Sequence, residues 1–399
     1  MKFLKHRITR FLIWFCFILC FAVGAFEVLY RIIAKTSFFG ADYRQMYSET
    51  GMNEGGFLKP NIDTLVINAY GDKVKWITNS KGFRNTKEFT YQKPKNTFRI
   101  LSLGDSFTAG YRVGQHQTFS YLLEKKLNES QDSIHYEVII ACIEDPVNGL
   151  KYLHDYGLKY EPDMVLLGIT LGNDLTQTFI NLHKFGRNKL VGNNIVENEN
   201  FNEKKLYEAL LERFPESSCD YSFEINDYIE KLVSFRLLRI LYETEYSGES
   251  IFASRGKANP YLHDLSHGLG LFLKEPPQTI NETYIQLERV LSAYKRLSNK
   301  NSFKLITCSF PQRYQGNWLD YTATLTDYDL KENAFSPSPA ISFSCSLDFS
   351  ESPLCVSEVN GKHSPYSEEK YYLPMGDMHW NSKGHLVVAE YLFENLEQE

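Results

Sequence analysis

Apolar residues in this chain fall into two alternating kinds of run. Phe98 to Leu103, Tyr136 to Cys142, Asp163 to Ile169 and Phe303 to Ser309 are short, mostly apolar stretches bounded by turn-forming residues. They predict buried strands. Between them, Phe119, Leu122, Leu123 and Leu127 recur at near-helical spacing, as do Val147, Leu150, Leu153 and Leu158. Further helices are predicted over Thr283 to Leu297 and after Ser382, the last with Leu386, Ala389, Phe393 and Leu396 as its buried stripe. Strand, helix, strand, helix, strand predicts an α/β fold, a parallel sheet with helices on both faces.

The rest of the chain punctuates this pattern. Thr36 to Gly56 reads as a linker, Phe57 to Trp76 as short strands and turns, and Asn79 to Arg84 as another turn. Asn181 to Asn202 reads as an exposed polar loop, and Lys204 to Phe214 and Tyr228 to Tyr246 as helices of a lid. Pro311 to Lys370 reads as a long ordered loop, of a length that is often functional. Three regions result: 1–35, a membrane anchor or signal; 36–92, a linker and short β segment; and 93–399, the main domain, with a mainly helical insertion at about 178–280.

The N-terminus adds a location. Lys2, Lys5, Arg7 and Arg10 precede the apolar run Phe11 to Phe26, a charge bias that keeps the N-terminus in the cytoplasm. Counted on to Ile33, the segment is long enough to span a bilayer, with Glu27 and Arg31 as an i, i+4 pair near the far interface. A cleaved signal peptide is the rival, because Ala22-Val23-Gly24-Ala25 supplies small residues. The uncleaved anchor is favoured. Either reading puts the main domain outside the cytoplasm, in the periplasm or at the cell surface, or secreted if the signal is cleaved.

Composition narrows the function. The 399 residues suit one large domain with insertions or two domains. A net charge of -6, with no basic stripe among aromatics, argues against nucleic acid. Cys142 and Cys308 lie in strand-like runs and read as buried thiols, whereas Cys345 and Cys355 are close enough to bridge a loop in an oxidising compartment. No Cys/His spacing suggests zinc, and no cofactor is expected.

The candidate chemistry lies where strands end. Gly104-Asp105-Ser106 follows the first core strand, which puts a hydroxyl at the carboxyl edge of the sheet, where open α/β sheets place ligands. Gly172-Asn173-Asp174 follows the third strand, and Asp377-Met378-His379-Trp380-Asn381 precedes the last helix. A Ser with a His in reach is a nucleophile, and an amide at the same edge can steady an oxyanion. Alone, each block has an ordinary reading as a turn or cap.

Together and in this order, the blocks resemble the SGNH (GDSL) hydrolase family. Asn79 to Arg84 matches an Asn-x-x-Gly-Phe-Arg segment of its membrane-anchored bacterial members. The resemblance implies a flavodoxin-like three-layer α/β/α domain and a Ser106–His379–Asp377 triad. Its oxyanion hole would use the Ser106 N–H, the Asn173 side chain and the N–H of Ile143, which stands where the family has a glycine. The last block extends to Asn381 and Gly384. His385 is a fallback base, and His116 and His363 read as ordinary residues. The implied activity is that of a serine esterase on O-acyl groups, acetyl first, of carbohydrate or another small ester. Hydrolysis and acyl transfer, the latter with a membrane acyltransferase partner, both stay open. The alternative is a non-catalytic envelope protein that binds a glycan or a partner protein, favoured by Ile143, which would crowd the pocket.

Overall fold

The computed structural model describes residues 10, 13–15, 17–25, 46–48, 51–67, 73–130, 133–170, 173–206, 209, 278–310, 354–355, 371 and 379–396. Its elements are β1 (Asp63–Ile67), β2 (Lys73–Ile77), β3 (Thr97–Gly104), α1 (Ser106–Ala109), α2 (Phe119–Ser130), β4 (His135–Cys142), α3 (Pro146–Asp155), β5 (Met164–Thr170) and α4 (Asp174–Leu182). There follow β6 (Asn188–Val191), β7 (Asn194–Glu197), α5 (Gln278–Asn301), β8 (Lys304–Phe310), β9 (Leu354–Cys355) and α6 (Ser382–Leu396).

Five strands form the central sheet in the order β4-β3-β5-β8-β9, and every pairing is parallel. Strand alternation divides the core in two. Leu101, Leu103, Ile139, Val165 and Leu167 face α3 and α5, where Leu150, Leu153, Leu291 and Tyr294 meet them. Ile100, Val138, Leu166 and Ile306 face α2 and α6, against Phe119, Leu123, Val388 and Leu392. The result is a three-layer α/β/α domain. Counted from β3, the strand order is 2-1-3-4-5, the flavodoxin-like order, whose switch point lies between β3 and β5.

A sheet edge presents unpaired backbone groups that need cover. On the outer edge of β4, Cys142 N–H donates to Gly55 O (3.2 Å) and Phe57 N–H to Cys142 O (2.8 Å). Met46, Leu58, Val66 and Trp76 then form a small core with Ala109 and Cys142. Residues 51–56 are therefore part of the domain's edge, where the sequence suggests a linker.

Two other expectations change. The stretch Asn181 to Asn202 holds an antiparallel hairpin, β6 with β7, rather than an open loop. One of its asparagines serves the backbone: buried Asn198 donates from Nδ2 to Lys184 O (3.1 Å) and Gly186 O (2.7 Å). In α6 the buried face is Gly384, His385, Val388, Ala389 and Leu392, while Leu386 is 40% exposed. Docking of α6 on α2 sets that phase, one residue from the expected stripe. Cys142 and Cys308 are buried free thiols. Of the helix expected over Lys204 to Phe214 only residues 204–206 and 209 are described; the helix expected over Tyr228 to Tyr246, most of the loop 311–370 (with Cys345 and His363) and much of 1–35 lie outside the described residues. Among the described residues no helix is long and apolar enough to cross a membrane.

The close approach at the sheet edge gives a test. Gly56 has φ +88°, and a Cβ there would stand 1.9 Å from Cys142 O, whereas Gly192, φ +63°, has nothing within 4 Å. Gly56→Ala should cost more than the ~1 kcal/mol expected for a strained turn residue, and Gly192→Ala about that amount. Chemical denaturation of both variants checks this; equal losses would show that the edge contact is dispensable.

Candidate active site

Strand β3 ends at Gly104 and the chain enters α1 at once. Asp105 is the N-cap, its carboxylate accepting from Phe107 N–H at 3.0 Å. Ser106 is the first helical residue, so its own N–H has no partner within the helix. Gly110 closes this single turn in the left-handed region, φ 68°. Tyr111 N–H returns to Ser106 O at 2.9 Å. The geometry lifts a half-buried hydroxyl to the carboxyl edge, beside the switch point.

Across 273 positions of sequence, His379 Nε2 lies 2.7 Å from Ser106 Oγ. Aromatic rings fix the imidazole. It stacks on Phe107 (centroids 5.0 Å, planes 30° apart), and Tyr111 meets it edge-on at 4.4 Å. Trp380 packs on Phe107 and Phe310 behind it. The next residues anchor the loop: Asn381 Oδ1 accepts from Lys383 and Gly384 N–H (2.9 and 3.1 Å), capping α6. Gly384 is required there, because a Cβ would stand 2.5 Å from Tyr371 O and 2.9 Å from Trp380 Cβ. Asp377 lies outside the described residues.

Asn173 reaches the site from the end of β5. Its Nδ2 donates to Asp105 Oδ2 at 3.1 Å. A primary amide carries two N–H groups, and this contact uses one of them. Asp174 sits below, accepting from Thr170 N–H at 2.7 Å.

Ile143 differs from expectation on both counts. Its N–H donates to Gly104 O at 2.8 Å, which commits the group proposed for the oxyanion hole. Its side chain is buried in the core toward Gly149, not in the pocket. The fallback base is also removed. His385 is buried, its Nδ1 accepts from Phe119 N–H at 3.3 Å, and burial pushes its pKa down to about 3. His116 is exposed on a 3-10 turn.

Sequence reading missed the shell beneath. Asp105, Asp145 and Asp174 are all buried carboxyls. Burial raises the pKa of Asp105 against the hydrogen bonds from Asn173 and Phe107. Burial, and then the Asp105 charge, raise the Asp174 pKa well above its ordinary value. Asp145 caps α3 through Val147 N–H (2.8 Å) and also accepts from Asn181 Nδ2 (2.9 Å); burial pushes it up to about 6. Asp105 and Asp174 stand in blocks visible in the sequence, and the Pro after Asp145 marks a helix start, but nothing local shows that the three are buried together. Tyr111 carried none, since its contact with His379 needs the turn at Gly110.

No protein-family model matches the chain, and none of the curated proteins does. Several solved structures are distantly similar. TesA is 12% identical with a TM-score of 0.34, over 75% of this chain and 98% of that one. The acetyl xylan esterase AlAXEase is 13% identical with a TM-score of 0.35, over 75% and 100%. The esterase EstA from Pseudoalteromonas sp. is 13% identical with a TM-score of 0.33, over 75% and 97%. At this distance the chemistry has to be read from the geometry of Ser106 and His379.

The Asp145 carboxyl predicts a pH dependence. A raised folded-state pKa means that the folded chain holds the proton more tightly than the unfolded chain. The contribution of Asp145 is thus most favourable below its ordinary value of 3.8 and is lost as pH rises through about 6. Asp145→Ser keeps a capping oxygen without the titration. Between about pH 4 and about pH 8, wild type should lose up to roughly 3 kcal/mol relative to the variant. Thermal melts of both chains at the two pH values check this; a constant difference would contradict it.

Proposed function

We propose that this chain is a serine esterase of the SGNH (GDSL) type that forms an acyl-enzyme on Ser106. The observation that carries this reading is the 2.7 Å contact between Ser106 Oγ and His379 Nε2 at the carboxyl edge of a parallel sheet. His379 takes the proton as Ser106 attacks an ester carbonyl, and returns it to the leaving alkoxide. Asp377 orients the imidazole and stabilises its cation. The Ser106 N–H and the second Asn173 N–H hold the oxyanion; removing one such donor costs about 3–4 kcal/mol of barrier. The proposed substrate is an O-acyl ester, acetyl on carbohydrate first. The acceptor of the acyl group is water or, with a membrane acyltransferase partner, a sugar hydroxyl.

The proposed location is outside the cytoplasm, held at a membrane by the N-terminal segment. Support comes from the basic residues before it and from Trp14, Phe15, Phe17 and Phe21, which are 55–71% exposed. A large exposed apolar patch calls for a lipid or protein partner.

A second reading has its own observation. With the Ile143 N–H committed to Gly104 O, the oxyanion hole has one donor fewer than the family pattern implies. A protein that keeps the fold to bind a glycan or a partner protein, without turnover, would tolerate that. Fluorophosphonate labelling separates the two. The esterase reading expects labelling that disappears in both Ser106→Ala and His379→Ala. It also expects Asn173→Ala to react about 10²–10³-fold more slowly. A folded wild-type chain that does not label would favour the binding protein.

A further inference from the structure

The segment Asn79 to Arg84 forms the expected turn, and its last residue does more than end it. Asn79 Oδ1 accepts from Lys81 and Phe83 N–H, both at 3.0 Å, which closes the turn. Phe83 is buried in the main core. Arg84 is then driven inward and is 0% exposed. Its guanidinium lies 3.5 Å over the Trp76 ring, which comes from β2. Nη1 donates to Ala109 O and Gly110 O, and Nη2 to Val113 O at 2.6 Å.

Those three carbonyls are the carboxyl end of α1 and the turn that follows it. A one-turn helix does not hold itself, because nucleation fixes several residues for a single hydrogen bond. A cation at its carboxyl end is favourable, and the planar fork of Arg can bind several carbonyls at once. The same turn carries Tyr111, whose ring meets His379 at 4.4 Å. The Arg84 clasp therefore sets two positions, the height of Ser106 at the start of α1 and the wall against which His379 rests. A Cβ at Gly110 would stand 3.1 Å from Arg84 Nη1, which fits glycine at that place.

We propose that Arg84 is a positioning residue of the Ser106–His379 pair. On this proposal the segment 46–92, which supplies Arg84 and Trp76, is a working part of the active site. The proposal rests on the reading of Ser106 as nucleophile. The Arg84 hydrogen bonds go to the end of α1 and the turn beyond it, and Arg84 acts through α1 and Tyr111.

The test needs a control for plain destabilisation, and Arg99 supplies one. It is also 0% exposed, with Nε and Nη2 donating to Glu137 Oε2 (2.9 and 2.7 Å) and Nη1 to Tyr160 O (2.7 Å). It lies near the amino end of β3, away from Ser106 at the other end. Full-length wild type, Arg84→Met, Arg84→Lys and Arg99→Met would be compared by fluorophosphonate labelling kinetics and thermal melting. Arg84→Lys keeps the charge but loses the fork, and stays informative if Arg84→Met does not fold.

Both Arg84 variants should lose at least about tenfold in the limiting labelling rate, with little change in the concentration giving half that rate, as expected of a misplaced nucleophile. Arg99→Met should lose melting temperature yet label within about twofold of wild type, a margin small beside the factor of 10² that a misplaced group can cost. Folded Arg84 variants that label at the wild-type rate would overturn the proposal alone. So would a loss that merely tracks melting temperature in all three variants. A folded wild-type chain that fails to label would remove the nucleophile reading, and the proposal with it.

Discussion

The chain turns from β3 into α1 at Gly104 with no room for a side chain. A Cβ there would stand 2.0 Å from Thr108 Oγ1, and one at Gly168 on β5 would stand 2.8 Å from the same atom. This contact lets α1 sit directly on the ends of two neighbouring parallel strands. The pairing of β3 with β5 makes them neighbours, and the strand order makes their carboxyl ends the switch point of the sheet. Ser106 and Asn173 both emerge there. Every other feature of the site is built outward from that junction.

The side chains beneath the junction are buried, which sets its electrostatics. Asp105, Asp145 and Asp174 are buried beneath it, and burial raises the pKa of each. Backbone and amide donors offset part of the cost: Phe107 and Asn173 for Asp105, Val147 and Asn181 for Asp145, Thr170 for Asp174. A carboxyl so placed is more useful for orienting N–H groups than for chemistry. Asp105 thus ties the Ser106 turn to the Asn173 amide across the switch point.

The N-terminal segment completes the domain instead of preceding it. It covers the open edge of β4 at Gly55 and Phe57 and closes a small core around Trp76. It also brings a buried guanidinium to the carboxyl end of α1. On the other side, Trp380 and Gly384 seat the His379 loop against Phe107 and Tyr371. Both flanking pieces thus pack against the elements that carry Ser106 and His379.

Much of this was legible in the sequence. Apolar runs such as Tyr136 to Cys142 and Asp163 to Ile169 located the strands, because a strand buried on both faces leaves little room for polar residues. The blocks around Ser106, Asn173 and His379 were legible as candidates because each sits at the end of such a run or just before a capped helix. Period alone could not phase α6 or recognise the β6–β7 hairpin, since α2 sets the first and buried Asn188 and Asn198 accompany the second. Nor could it see that the Ile143 N–H belongs to Gly104 O, or that Arg84 reaches Val113 O. The sequence by itself determined which residues could do chemistry and that strand ends would carry them. Only the tertiary structure decided which donors are already spent, because a hydrogen bond between distant segments depends on distance and direction, and neither is written in local spacing.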